Sequence, residues 1–197
     1  MATIGKQVVL DAPAFIHPSA QLYGKIRIGE AASIFANVVM RSETFEIVIG
    51  ERTNVQEFAM IHVGDFTPTI IGDDCSITTR STLRGCTIGD RCLIGINATI
   101  MDGAEIGENS IVAGHAMVDK NAKFEANSII AGVPAKKISE RDNSSVTVLN
   151  SAIYQAISQN YARGKERLSD EQLAQIMAKA QKLQERDQNG TRTVTNQ

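Results

Sequence analysis

Residues 88–118 read IGDRCLIGINATIMDGAEIGENSIVAGHAMV, and in them Ile88, Ile94, Ile100, Ile106, Val112 and Val118 stand six positions apart. Neither the 3.6-residue period of a helix nor the 2-residue period of a strand produces a strict step of six. A coil of three short strands does: three hexapeptides close one triangular turn, each aliphatic residue points inward from one flat side, and Gly or Asn relieves the corners.

Working outward, the step continues to Phe124 and Ile130, and upstream it runs through Leu10, Ile16, Leu22, Ile28, Ile34 and Met40. Four residues after each aliphatic, where a corner leaves little room, the chain places compact side chains. One side carries Ala14, Ala32, Thr53, Cys75, Cys92, Ser110 and Ser128, and the next Ala20, Val38, Ala59, Ser81, Ala98, Ala116 and Pro134. Cys75 and Cys92 thus take the same slot on successive coils, which reads as core stacking rather than a redox pair. The register slips between Ile28, Ile49, Ile71 and Ile88, so extra residues must bulge outward near Glu43–Glu46 and Gly64–Pro68. Outward loops on one face of a solenoid are usual sites of function.

After Gly132-Val133-Pro134 the period disappears. Val146–Arg163 reads as an amphipathic helix with Val148, Ile153, Ala156 and Ile157 on its apolar face. Ser169–Arg186 reads as another, N-capped by Ser169, with Leu173, Ile176, Met177, Ala180 and Leu183 on one face. These helices are expected to cover the far end of the rod, whose strand edges are otherwise open. The expected organisation is an all-β solenoid, a parallel β-helix over residues 1–138, then a helical extension over 139–187 and a flexible tail over 188–197. Aromatic residues make up only 5% of the chain and Trp is absent, consistent with a core of layered β-branched residues. A net charge of −2 gives no reason to expect nucleic acid or an anionic membrane as partner. MATIGKQVVLDAP lacks the apolar length of a secretory leader, and three clustered Cys do not make a disulfide framework; a cytoplasmic chain with unpaired thiols is expected.

Several ordered motifs, VMRSE at 39–43, IGERTNVQE at 49–57, Ile61-His62, LRGCTIG at 83–89, MDGA at 101–104, IGENS at 106–110 and GVPAK at 132–136, match in one frame. Over nearly all of residues 10–138 the chain resembles the gamma-class carbonic anhydrases and their relatives. The resemblance implies a left-handed β-helix, a homotrimer, and a zinc ion held by three His from two subunits. His62 stands at the first of those ligand positions, whereas Thr79 and Arg84 occupy the other two. A catalytic zinc needs three protein ligands and an open fourth position. Thr is a poor ligand at neutral pH, and Arg has no lone pair to donate and carries a permanent positive charge where the cation would sit. Zinc is therefore not expected, and without it the activated water of CO2 hydration has no source. His17 and His115 are too far along the rod to complete the set with His62 in one subunit.

Arg41, Glu43, Asn54, Gln56 and Glu57 match polar residues that surround the site or join subunits in that family. Arg41 with Glu43 or Glu57 is expected at the trimer contact. His62 and Arg84, with Asn54 and Gln56, are the candidate site for a small anion or carboxylate, since a guanidinium offers two parallel donors and His titrates near neutrality. A second reading is an acyltransferase or thioesterase acting on acyl-CoA. It rests on GVPAK, which is common in hexapeptide acyltransferases, and takes His115 as the base; CoA is then the cofactor. A residual carbonic anhydrase is the third. His62, Gln56 and His115 are the candidates for any catalysis.

Overall fold

The computed structural model describes residues 1–12 and 15–192, with 183–192 as helical backbone only. Ala14, the side chain of Leu183 and residues 193–197 lie outside the described residues.

Short strands stack in parallel into three flat faces, forming a left-handed solenoid of about seven turns. On the first face Ile34, Val55, Ile77, Ile94, Val112 and Ile130 lie in register from coil to coil. Leu22, Met40, Ile61, Leu83, Ile100 and Val118 form the second stack. The third runs from Ile28 through Ile49, Ile71, Ile88 and Ile106 to Phe124. All of these are buried except Phe124, which is half-buried at the rod's end. Each fully buried aliphatic side chain contributes about 1.5–3 kcal/mol, so the rod is held by repetition of one modest term.

The corners explain the other half of the pattern. From Arg91 to Asn127 every sixth residue has a positive φ, through Asn97, Gly103, Asn109, His115 and Asn121. Among residues with a side chain Asn tolerates this left-handed conformation best, which is why it occupies four of these seven corners. The compact column on the first side is fully buried at every described position, from Ala32 through Cys75 and Cys92 to Ser128. The second column is buried through Ala116, but Pro134 is exposed because the chain leaves the rod there.

Two long strands, Gln21–Ile28 and Val39–Ile49, turn a corner without a break and so join the second and third faces into one sheet. Between Gly24 and Ile26 their register jumps, and residues 43–46 bulge out, all four exposed. Residues 64–68 form the second outward loop.

The far end is closed differently from the expectation of a helical cover. Strand Lys136–Glu140 folds back antiparallel on Ser128–Ala131 and protects the last edge, its exposed Lys136, Lys137 and Glu140 discouraging further pairing. The helices instead return along the rod. Helix α1, Ser144–Ala162, lies over the first face, against the strands from Ser76–Ile77 back to Phe15–Ile16. Asn143 ties its start to the rod through the Asn109 carbonyl (3.2 Å).

The face α1 buries is not the expected apolar one. Thr147, Ser151, Ser158 and Asn160 are its buried residues, while Val148, Ile153, Ala156 and Ile157 are half-buried. The rod surface beneath is itself polar, with Asn54, Gln56, Ser76 and Thr78 buried. Ser151 donates to the Arg52 carbonyl at 2.8 Å. Toward the start of the rod the seam becomes aromatic, where Phe35 meets Phe15, Tyr154 and Tyr161 with ring centroids 5.6–6.1 Å apart.

Helix α2, Asp170–Arg192, packs on α1 and runs beyond the expected start of the tail at 188. Ser169 caps it as expected: its hydroxyl accepts from the Gln172 amide (3.2 Å) while the Gln172 side chain accepts from the Ser169 amide (2.9 Å), a reciprocal capping box.

Candidate functional site

Strand alternation builds the site. Met40, Ile61 and Leu83 point into the core, so Arg41, His62 and Arg84, each the next residue, point outward in one column across three adjacent coils. The two outward loops begin beside this column, Glu43–Glu46 after Arg41 and Gly64–Pro68 after His62. Together they enclose a cleft of about 430 Å³ lined by Arg41, Glu43, His62, Val63, Asp65 and Arg84.

Glu43 bridges one half. Its Oε1 accepts from Arg41 Nε at 2.8 Å, and its Oε2 lies 2.9 Å from His62 Nε2. Arg41 Nη2 also stands 3.3 Å from His62 Nε2. Partial burial raises the Glu43 pKa, but the His62 hydrogen bond, a backbone hydrogen bond and the Arg41 charge outweigh it and hold the carboxyl below its ordinary value. An ionised carboxylate only accepts, so the consistent assignment has His62 Nε2–H donating to Glu43. Nδ1 is then the basic nitrogen of neutral His62.

Arg84 anchors the other half. Nη1 donates to Asp102 Oδ2 and Nη2 to Asp65 Oδ1, both at 2.6 Å. The two acids differ in setting: the Asp102 side chain is 14% exposed, the Asp65 side chain 63%. Asp102 also receives Lys120 at 3.6 Å and the Asp65 amide at 3.3 Å, so it fixes the base of the loop. Burial pushes the Asp102 carboxyl up, yet its backbone hydrogen bonds, Arg84 and Lys120 prevail and keep it below the usual carboxylate range. The hydrogen bond to Asp65 leads the causes that raise the Arg84 pKa further. With His62 neutral, Arg41, Arg84 and Lys120 are balanced by Glu43, Asp65 and Asp102.

The other sequence candidates lie elsewhere. Asn54 and Gln56 sit on the first face among the residues α1 covers. Asn54 donates to Ser76 Oγ (2.8 Å) and the Cys75 carbonyl (3.2 Å), and Gln56 donates to Asn54 Oδ1 (3.0 Å). Glu57 follows at the corner; burial, then the Glu57 charge, pushes the Tyr154 phenol up. Thr79 lies at the corner where the first face meets the second, at the other edge from the His62–Arg84 column. Its neighbour Arg80 places its guanidinium 5.8 Å from the ring centroid of exposed Phe58. His115 is an exposed corner residue with Asn97 Nδ2 at 3.5 Å from its Nε2. His17, which accepts from the Ser19 amide at 3.1 Å, is at the opposite end of the rod. Sequence reasoning missed Asp65 and Asp102. The available signal was that Asp102 lies 18 residues after Arg84, one coil further along the rod.

Among the described residues, no three His, Cys, Asp or Glu side chains gather into a group able to hold a metal ion. Arg84 is a cation already held by two carboxylates.

The bacterial transferase hexapeptide (six repeats) family model matches residues 85–120. The chain is 37% identical over 109 residues to mitochondrial gamma carbonic anhydrase 1 of Arabidopsis thaliana, covering 52% of this chain and 40% of that protein. It is 35% identical over 96 residues to the carnitine operon protein CaiE of Escherichia coli, covering 49% of each. The chain thus spans about half the length, or less, of these curated relatives. Among solved structures, a Bacillus cereus protein described, by inference, as an acetyltransferase superposes with a TM-score of 0.79 at 29% identity, over 83% of this chain and 99% of that one. A hexapeptide transferase family protein from Anaplasma phagocytophilum gives 0.73 at 29% identity, over 78% and 92%.

Proposed function

We propose, from the premise that this chain is a hexapeptide-repeat protein homologous to the gamma carbonic anhydrases, that it is a cytoplasmic homotrimer whose cleft builds no zinc centre. In this reading it lacks CO2 hydratase activity, and the cleft receives a small anion or carboxylate. The observation that carries the reading is the state of Arg84, a guanidinium clamped between Asp65 and Asp102 beside a lone His62. One imidazole, a Thr hydroxyl and a permanent cation do not make a zinc donor set.

What remains chemically is a carboxylate–histidine pair flanked by two guanidinium groups. Glu43 orients His62 through its Nε2; Arg41 and Arg84 keep further N–H donors for an anion. Asn54 and Gln56, hydrogen-bonded to the rod among the residues under α1, drop out of the ligand set and act as rod-to-helix scaffolding.

Two measurements test the reading. CO2 hydration by the purified protein is expected at the uncatalysed rate. The double variant Thr79→His plus Arg84→His, which restores three imidazoles, is expected to acquire stoichiometric zinc. Hydration by the unaltered protein that a chelator abolishes would overturn the reading.

A second reading, transfer or hydrolysis of an acyl group from CoA, draws support from the similarity to the Bacillus cereus protein described as an acetyltransferase. Its base would be His115. Among the described residues no carboxylate hydrogen-bonds that ring, so no acid orients it as Glu43 orients His62. Calorimetric titration with acetyl-CoA decides: heat of binding that the His115→Ala variant alters supports this reading, and its absence dismisses it.

A further inference from the structure

The cleft holds two cationic stations, and each is occupied by a carboxylate of the chain itself. Glu43 sits on Arg41 and His62; Asp65 sits on Arg84. Both acids belong to the inserted loops rather than to the repeat, and both side chains are more than half exposed, at 53% and 63%. Asp102 is different, 14% exposed and tied to Lys120 and the Asp65 amide as well as to Arg84, so it is part of the frame. Exposed ion pairs of this kind are weak and easily exchanged. The cleft volume of about 430 Å³ is that of a small-molecule site, and Arg41 and Arg84 lie two coils apart with His62 between them.

We propose that Asp65 is an internal stand-in for one carboxylate of an external ligand, and that the ligand is a small aliphatic dicarboxylate spanning both stations. One of its carboxylates displaces Asp65 from Arg84 Nη2. The other engages the remaining N–H donors of Arg41, joined by His62 when protonated. Asp102 keeps Arg84 in place throughout. A tethered competitor acts at a local concentration in the millimolar range, so the unaltered protein binds such a ligand weakly and removal of the Asp65 charge unmasks the site. This deepens the anion-site reading of the cleft and rests on it. The Asp65–Arg84 contact is what makes it specific, because an exposed loop acid is otherwise free to point into solvent.

The test is calorimetric titration of the full chain with succinate and, separately, acetate, comparing the unaltered protein with Asp65→Asn and Arg84→Gln. Thermal melts confirm that each variant is folded. Succinate is expected to bind Asp65→Asn about fivefold more tightly than the unaltered protein. Binding is expected to be lost in Arg84→Gln, and acetate to bind at least tenfold more weakly than succinate. Equal succinate affinity in Asp65→Asn and the unaltered protein would overturn the stand-in role while leaving an anion site in place. Acetate binding as tightly as succinate would overturn the two-station ligand. No binding of either by any folded variant would overturn both this inference and the anion-site reading.

Discussion

Arg84 shows how one side chain redirects a site. At its place in the column a group with a lone pair would face outward beside His62; a guanidinium there recruits acids instead, and Asp65 and Asp102 answer it at 2.6 Å. Because Asp102 is nearly enclosed, its loss leaves Arg84 and Lys120 short of a partner. Asp102→Ala is expected to cost about 1–3 kcal/mol, read as a lower urea midpoint. Its carboxyl titrates below the ordinary value in the folded protein, so the unfolded chain takes up a proton first as pH falls. The stabilisation is complete above about pH 4 and is lost as pH falls through the folded value. The melting temperature of Asp102→Asn should therefore fall less steeply below that pH than the unaltered protein's. Gly24 makes a second residue-scale case: its φ is +90° and an added Cβ would lie 1.9 Å from the Ser42 carbonyl oxygen. Gly24→Ala should destabilise by about 2 kcal/mol or more, measured by thermal melting. The pairing of His62 with Arg84 in one column was legible because motif order fixes it, whereas Glu43 was expected at a trimer contact and instead lies against His62 in the cleft. Asp65 and Asp102 were not legible, because loop acids carry no period and their aim depends on coil-to-coil register.

Elements show where pattern reading succeeds and where it inverts. The rod follows from the step of six, since the inward position takes aliphatic side chains, with Phe124 at the rod's end, and the corner Asn, Gly or another residue held at positive φ. Helix α1 follows the pattern in place but not in orientation. Its hydroxyl stripe faces the rod because the rod surface it covers carries Asn54, Ser76 and Thr78, so polar groups meet polar groups. Hydropathy alone assigns the opposite face, since it knows nothing of the surface beneath. The aromatic end of the seam should dominate its strength. Phe35→Ala, at a residue 1% exposed and touching three rings, is expected to cost about 3–5 kcal/mol. Ser151→Ala, which removes one hydrogen bond, should cost about 1 kcal/mol, both read from urea unfolding. The closing strand Lys136–Glu140 was hidden from the sequence because the chain reverses direction after the last hexapeptide and pairs antiparallel only once.

For the molecule as a whole, the interior is a stack of buried layers with its three thiols inside. Burial pushes Cys86 up to about 12 and raises Cys75 as well. Thiol reagents at neutral pH should label none of the three in the native protein and all three after denaturation. No helix among the described residues is long and apolar enough to cross a membrane. The proposed homotrimer predicts that light scattering gives the mass of three chains. Zinc content tests the proposed zinc-free cleft most directly. Protein expressed with added zinc, purified without chelator and quantified by elemental mass spectrometry should contain far less than one zinc per chain. One zinc per chain that disappears in the His62→Ala variant would contradict the account.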